Sequence, residues 1–219
     1  MTLSEEQALK KRKLRSELRT KRRCFLGEAR QRAEAKIVQE VGALISEQSS
    51  GFIGLYYPFD GEVDLSLLWG GGLPTSSSSL PALLKQLVFP LHQRGQPLSF
   101  IQPTHWSDDR PLPRPQGQSV SLCELSLLMV PGVAFDTVSG LRLGLGGGHY
   151  DRTLALYAQH SWPIRAFGVG FNFQLRARLP REPWDLPLDG VVTELGTHMF
   201  KRDFTASASR PSLNERETP

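Results

Sequence analysis

The sequence predicts an α/β fold with a mainly parallel sheet covered by helices on both faces. Short buried strand patterns, of which residues 127–132 form the clearest, alternate with segments of helical periodicity. Hydrophobic residues make up 39% and charged residues 22% of the 219, which is ordinary for a globular protein. This length favours one domain, which we assign to residues 1–200, and we expect the polar tail 201–219 to be disordered.

The first predicted helix begins near Ser4 and carries a basic stripe. Residues 10–23 hold nine Lys or Arg against one acid, Glu17. An apolar seam at roughly helical spacing accompanies the stripe: Leu9, Leu14, Leu18 and Phe25. The stripe is a solvated helix face, a nucleic-acid or membrane patch, or a cationic arm for a phosphate ligand. Aromatic residues are not interleaved with it and no nucleic-acid signature accompanies it, so we predict no nucleic-acid partner.

A second helix is predicted over residues 29–46 and a buried strand over 51–58. The loop that follows carries three carboxylates, Asp60, Glu62 and Asp64, at the carboxyl edge of that strand, where open α/β sheets bind ligands. Residues 65–68 are expected to start a helix, which the low-complexity insertion Gly70–Ser79 interrupts.

Further along the chain, we predict that a helix resumes over 83–87. Strands at 88–91 and 98–101 form a hairpin through a turn at Gly95. The proline-rich stretch 103–118, which contains Trp106, is a long loop of the kind that is often functional. Strands at 127–132, 166–171 and 191–193 complete the sheet, and Met129 and Phe135 belong to the core.

The glycine-rich run 142–152 is the strongest functional signal. Its glycines leave backbone N–H groups free to converge on an anion, and apolar spacing from Thr153 to Ala158 predicts that it opens into a helix N-terminus. Arg142 and Arg152 flank the run as phosphate partners. Asp151 would repel a phosphate unless Mg²⁺ lay between them, so we predict a metal contact there.

The alternative is a glycine-rich turn that reverses the chain, with Asp151 capping the next helix. The run matches neither the P-loop nor the dinucleotide-binding fingerprint. No stretch approaches the roughly 20 apolar residues of a membrane span, and the charged N-terminus does not suit a signal peptide, so we expect no membrane association and a cytoplasmic location. Cys24 and Cys123 are far apart, which gives a disulfide or zinc site little support.

Several of these segments together resemble the 5-formyltetrahydrofolate cyclo-ligase family, also called 5,10-methenyltetrahydrofolate synthetases. The segments are 11–15 (Lys-Arg-Lys-Leu-Arg), 62–64 (Glu-Val-Asp), 130–136 (Val-Pro-Gly-Val-Ala-Phe-Asp), the glycine run, 174–180, and 184–194 with Trp-Asp-Leu-Pro-Leu-Asp. They span residues 10–195 in the family's order.

The resemblance implies a three-layer α/β/α sandwich with a Rossmann-like sheet and an ATP- and Mg²⁺-dependent ligase that forms a C–N bond. The implied reaction closes 5-formyltetrahydrofolate, possibly polyglutamylated, to 5,10-methenyltetrahydrofolate by phosphorylating the formyl oxygen. ADP and phosphate are released. We expect a monomer.

The resemblance also implies residue roles. Arg142 and Asp151 act in catalysis, and Asp151 holds Mg²⁺. ATP is bound by a set of cations, loop glycines and first-turn residues: Lys11, Arg12, Arg15, Arg142, Gly144, Gly146, Gly147, Gly148, His149, Tyr150 and Asp151. Arg12 is the weaker candidate because it points away from Lys11 and Arg15, which lie one turn apart. For the folate, the resemblance implies Glu62, whose alternative is a solvated loop acid. Trp106, His149 and Tyr150 are further candidates because flat ligands favour aromatic walls, with core packing or a loop anchor as the alternative for Trp106.

This sequence departs from the family pattern at three places. His149 stands where the family usually has tyrosine, Trp184 stands where histidine is common, and the Gly70–Ser79 insertion is additional. Two other classes remain open: a non-catalytic relative that binds nucleotide or RNA, and a different small kinase or ATP-dependent ligase on a similar sheet.

Overall fold

The computed structural model describes residues 3–68, 84–104, 116–182 and 184–200. The helices in these ranges are α1 (Leu3–Cys24), α2 (Gly27–Ser46) and α3 (His149–His160). The strands are β1 (Phe52–Gly54), β2 (Leu87–Leu91), β3 (Ser99–Pro103), β4 (Gly117–Val120), β5 (Leu125–Pro131), β6 (Ala134–Asp136), β7 (Arg142–Leu143), β8 (Arg165–Val169), β9 (Leu175–Arg176), β10 (Gly190–Thr193) and β11 (Gly196–Met199).

Eight strands form one sheet in the order β11-β10-β8-β5-β1-β2-β3-β4. The five central strands, from β10 to β2, are parallel, whereas β11, β3 and β4 pair antiparallel at the two edges. The predicted hairpin is present, with Phe89 opposite Ile101. The mainly parallel sheet is therefore confirmed.

The side chains of β5 show how the sheet separates two helical layers. Leu127 and Met129 pack with α2 on one face, whereas Leu128 and Val130 pack with α3 on the other. All four are fully buried, as expected of a strand with both faces covered. The three-layer α/β/α sandwich is confirmed by this alternation.

Helix α1 packs outside the two main layers, against a small sheet of order β7-β6-β9. Leu18 is fully buried there among Val133, Ala134 and Leu143. Leu9, which we placed on the apolar seam, is 38% exposed instead. The glycine run begins in the same small sheet, at Arg142, so this packing brings the basic helix beside it.

Phe135 is enclosed by three glycines. A Cβ built on Gly132, Gly168 or Gly170 would lie 2.7, 2.5 or 2.6 Å from its ring atoms. Because such separations are too short for any side chain, glycine is needed at these positions for the ring to fit. Phe135 and Met129 are both fully buried, which confirms their assignment to the core.

Several predicted elements differ from the observed ones. The strand expected over 51–58 ends at Gly54, because the chain leaves the sheet there and the Tyr56 hydroxyl donates to the Val63 carbonyl at 2.9 Å. Residues 66–68, where we expected a helix to start, form one 3-10 turn. β2 already begins at Leu87, inside the predicted helix 83–87. Gly117–Val120, partly assigned to a loop, pairs with β3.

Three sequence predictions lie outside the described residues. They are the Gly70–Ser79 insertion, the loop around Trp106 and the tail 201–219. Among the helices of the described ranges, none combines the length and apolar character needed to cross a membrane.

The glycine enclosure predicts a coupled stability effect. We expect Gly168→Ala to reduce the free energy of unfolding by about 1–3 kcal/mol, because the new methyl group overpacks against Phe135. In a Phe135→Leu background, which leaves more room, the same substitution should cost less. Urea unfolding of the wild type, both single variants and the double variant measures this coupling. Equal costs in both backgrounds would contradict the enclosure as the cause.

Candidate functional site

A cavity of about 730 Å³ opens at the carboxyl end of the central parallel strands. Pro131 at the end of β5, Gly132 after it and residues 56–59 after β1 line the cavity. The glycine loop and the neighbouring helix α1 also line it. The cavity thus lies where open α/β sheets commonly bind ligands.

The glycine loop 144–148 leads directly into α3, as the sequence predicts. Gly148 precedes the helix in the left-handed conformation, with φ 67°. The first turn of α3, His149 to Asp151, lines the cavity together with the five loop residues. Free N–H groups at a helix N-terminus and the helix dipole both favour an anion at this place.

Arg142 and Asp151 form an ion pair beside this helix terminus. Arg142 Nη2 donates to Asp151 Oδ1 at 2.7 Å, and the two side chains are 5% and 33% exposed. Arg142 also lies over the Tyr150 ring, with 5.3 Å between its Cζ and the ring centroid. Gly144 lies directly beside it, since a Cβ there would come within 2.6 Å of Arg142 Nη1 and the guanidinium would have to shift.

Two buried polar atoms at the site have no hydrogen-bond partner in the described part of the chain: Arg142 Nε and the Tyr150 hydroxyl. A buried donor without a partner costs about 1–3 kcal/mol. Burial also raises the pKa of Tyr150 above its ordinary value, so its hydroxyl keeps its proton and can donate. These atoms are available to a ligand.

Two cations of α1 reach the cavity. Arg15 Nε donates to the Gly144 carbonyl at 2.8 Å, which ties α1 to the glycine loop. Lys11 Nζ lies 3.2 Å from Glu182 Oε1 and 3.5 Å from Asp185 Oδ2, with its side chain 12% exposed. Arg12 is exposed and does not line the cavity, so the structure does not bring it together with the other predicted ATP contacts.

Glu62 lines the same cavity and is 7% exposed. Its Oε2 accepts a hydrogen bond from the Phe59 N–H at 3.1 Å. Burial raises the pKa of Glu62 to about 7, although the Phe59 hydrogen bond and the Arg22 charge oppose this shift. Glu62 therefore titrates near neutral pH, unlike an exposed glutamate.

The other two predicted carboxylates have different partners. Asp60 Oδ2 accepts hydrogen bonds from Arg19 Nε at 2.6 Å and from Arg22 Nη2 at 3.2 Å. Burial disfavours the charge of Asp60, but these arginines outweigh it and hold its pKa below the usual value. Asp64 accepts a hydrogen bond from the Ser66 N–H at 2.8 Å. Neither residue lines the cavity.

The structure adds residues that the sequence did not indicate. His92, from the turn after β2, lines the cavity with its ring centroid 5.2 Å from that of His149, whose Nδ1 is 3.1 Å from the Gln96 carbonyl oxygen. Trp184 lines the cavity and is 66% exposed. Arg152 instead binds the Gly147 carbonyl at 2.7 Å and does not line the cavity.

Arg22 is the functional candidate that sequence reasoning missed most completely. It is 1% exposed, yet it is one of nine basic residues in a run of fourteen, and nothing in that run distinguishes it. The hydrophobic pattern offered one signal: Arg22 is four residues after Leu18, which places both on one face of the helix.

Comparisons with known proteins agree with this geometry. A model of the 5-formyltetrahydrofolate cyclo-ligase family matches residues 7–194. A Haemophilus influenzae protein named 5-formyltetrahydrofolate cyclo-ligase is 32% identical over 84% of this chain and 97% of its own. The solved Aquifex aeolicus 5,10-methenyltetrahydrofolate synthetase superposes with a TM-score of 0.66 at 32% identity, covering 86% of this chain and 92% of that one.

A second solved structure supports the fold. The Mycoplasma pneumoniae 5,10-methenyltetrahydrofolate synthetase has a TM-score of 0.63 at 24% identity and covers 84% of this chain and 98% of that one. The family match spans every segment that lines the cavity, from α1 to Asp185. The chain therefore belongs to the 5-formyltetrahydrofolate cyclo-ligase family of enzymes.

Proposed function

We propose that this chain catalyses the ATP- and Mg²⁺-dependent closure of 5-formyltetrahydrofolate to 5,10-methenyltetrahydrofolate. The observation that carries the proposal is one cavity that joins a cationic glycine loop at a helix N-terminus to a buried carboxylate, Glu62. The first feature suits a polyphosphate, and the second suits the N–H donors of a pterin. The relatives named above carry the name of this reaction or its product.

The chemistry needs activation of the formyl oxygen. That oxygen attacks the γ-phosphorus of ATP, the bond to the β-phosphate oxygen breaks, and ADP leaves. The folate N10 then attacks the formyl carbon, the carbon–oxygen bond breaks with departure of phosphate, and N10 loses its proton. Phosphoryl transfer of this kind depends on positioning and charge neutralisation, so no protein nucleophile is required.

The cations at the glycine loop support this role. In the protein without ligand, Arg142 is paired with Asp151, and Lys11 with Glu182 and Asp185. We propose that nucleotide phosphates replace these carboxylates as partners of Arg142 and Lys11. Arg15 is expected to join them, because it already contacts the loop at Gly144. The loop amides supply further donors.

Asp151 fits a magnesium contact. Mg²⁺ in nucleotide enzymes is typically held by one or two carboxylates together with phosphate oxygens and water. Asp151 is 33% exposed towards the cavity, and the described ranges contain no cluster of three metal-binding side chains. The residues present therefore fit an ion that arrives with the nucleotide. When bound, Mg²⁺ would neutralise charge on the phosphate oxygens.

The folate end requires donors and acceptors for a pterin. Ionised Glu62 can accept hydrogen bonds from pterin N–H groups, and the Tyr150 hydroxyl has no partner of its own in the described structure. His149 can stack on or hydrogen-bond a flat ligand. Trp106, also predicted here, lies outside the described residues, and its role stays a prediction.

The defining experiment incubates the purified chain with 5-formyltetrahydrofolate, MgCl₂ and ATP and follows the absorbance of methenyl-folate. We expect the signal to require ATP and to release ADP in equal amount. Absence of an ATP-dependent signal at high enzyme concentration would rule out the proposal. It would favour a relative that binds nucleotide or RNA without turnover, or an enzyme with another substrate.

The phosphate role of α1 is tested by a matched pair. Arg15→Ala should raise the KM for ATP about tenfold or more, since a charged hydrogen bond contributes about 1.5–3 kcal/mol. Lys13→Ala removes an exposed cation from the same helix away from the cavity and should leave the KM for ATP unchanged. Steady-state kinetics at saturating folate distinguish them. An equal effect of both variants would indicate a diffuse charge effect.

The magnesium assignment predicts a change in metal dependence. Asp151→Asn keeps the shape of the side chain but removes one anionic ligand, so half-maximal turnover should need a higher Mg²⁺ concentration. A titration of turnover against MgCl₂ at fixed ATP measures this, and circular dichroism checks that the fold is retained. A wild-type titration curve in the variant would refute the metal contact.

The raised pKa of Glu62 leads to a prediction of how activity and stability depend on pH. Because ionised Glu62 binds the pterin, kcat/KM for 5-formyltetrahydrofolate should rise as pH increases through about 7, and Glu62→Gln should lack this rise.

The free energy of unfolding should change with pH in the opposite direction. The pKa of Glu62 is 4.5 in the unfolded chain and about 7 in the folded one, so between these pH values the folded state holds more protons. The free energy of unfolding therefore falls as pH rises through this range. Glu62→Gln should remove that fall, as measured by urea unfolding at several pH values.

A further inference from the structure

Arg22 places a buried positive charge beside Glu62. Its Nη1 lies 3.8 Å from Glu62 Oε1, and the two side chains are 1% and 8% exposed. At this separation in a poorly solvated site, the guanidinium stabilises the ionised carboxylate much more than it would in water.

The guanidinium is held in position by three hydrogen bonds. Nη1 donates to the Gly132 carbonyl at 3.0 Å, Nε to the Asp60 carbonyl at 2.9 Å, and Nη2 to Asp60 Oδ2 at 3.2 Å. The loop backbone packs closely against Arg22 at Gly61, where an added Cβ would lie only 3.2 Å from the Arg22 carbonyl oxygen. Arg22 therefore cannot turn away from Glu62 without breaking buried hydrogen bonds.

Asp60 competes with Glu62 for this cation. The same guanidinium contacts both carboxylates, but the contact to Asp60 is the shorter. The negative charge of Asp60 also acts directly on Glu62 and disfavours its ionisation. Arg22 and Asp60 hence act on Glu62 in opposite directions.

We propose that Arg22 and Asp60 are positioning residues that set the charge of Glu62 and, through it, the pH range in which the cavity binds folate. The identity of that ligand rests on the proposed function. Neither residue lines the cavity, so each acts on the ligand through Glu62.

The remaining groups around Glu62 are accounted for. Its surroundings are Arg22 from α1, Arg30 from α2, the Phe59 N–H and Asp60 from its own loop, Tyr56 and Asp64 near it, Arg142 from β7 and Tyr150 from α3. Arg30 binds the Glu62 main-chain carbonyl at 2.8 Å and leaves the carboxylate to Arg22. Burial raises the pKa of Tyr56 well above its ordinary value, so it stays neutral.

The test measures Glu62 ionisation directly, by NMR of protein labelled with ¹³C at the glutamate carboxyl carbon. Glu62→Gln assigns the signal, and the wild-type midpoint is expected at about 7. Arg22→Met should raise the midpoint by roughly one to three pH units, and Arg22→Lys should fall between the two. Asp60→Asn should lower it. Opposite shifts are a signature that general loss of structure does not produce.

Arg23→Ala is the control, because Arg23 Nε lies 3.6 Å from Asp60 Oδ1 but the side chain is 56% exposed. In this variant the titration midpoint of Glu62 should stay at the wild-type value. If Arg22→Met does not fold, Asp60→Asn still decides, because it leaves Arg22 and its carbonyl partners in place. An unchanged midpoint in Asp60→Asn, or shifts of the same sign in Arg22→Lys and Asp60→Asn, would overturn the inference.

Turnover separates this inference from the proposed function. In an active enzyme, the pH at which kcat/KM for 5-formyltetrahydrofolate changes should follow the NMR midpoint in each variant. If the wild type shows no ATP-dependent turnover, the proposed function fails while the NMR shifts still test the role of Arg22 and Asp60. If the midpoints shift and the kcat/KM profile does not follow, Glu62 is not the residue that binds folate.

Discussion

The buried guanidinium of Arg22 is the contact on which the arrangement of this site depends. Helix α1 belongs to neither layer of the main sandwich, and its apolar contact, centred on Leu18, is small. Burying an arginine costs several kcal/mol unless its donors are satisfied, and here two carbonyls and a carboxylate satisfy them. Because these partners lie at the carboxyl ends of β1 and β5, the interaction fixes α1 at the edge of the sheet where the cavity opens.

The cations that line the cavity are paired with carboxylates of the protein itself. Arg142 with Asp151, and Lys11 with Glu182 and Asp185, are opposite charges held within 3.5 Å. In the proposed mode of binding, a phosphate would exchange one anionic partner of these cations for another, so side chains that are already ordered would lose less conformational entropy. Asp151 would then be free for a cation that accompanies the phosphate.

The main sheet and its helices could be predicted because their signals are local. Runs of buried apolar residues identify β5, β8 and β10, helical periodicity identifies α2, and a turn at Gly95 identifies the hairpin. β6, β7 and β9 have only two or three residues each, and β6 pairs with β9 from a distant part of the chain. At the site, the glycine run and the loop carboxylates stand out by composition. Arg22 does not, because its burial results from tertiary packing that a run of nine basic residues conceals.

Helix α1 carries site residues at the sequence spacing that usually marks an apolar helix face. Its buried stripe runs through Lys11, Arg15, Leu18 and Arg22, at spacings of four, three and four that usually carry apolar residues. Three of these four positions are cationic because the stripe faces carboxylates, carbonyls and the cavity in place of a hydrocarbon core. At 1.5 Å per residue, about 16 Å separate the first and last of them. One helix thus carries both the two cations of the proposed phosphate end, Lys11 and Arg15, and the guanidinium beside Glu62, so the relative positions of these groups are set by the helix itself.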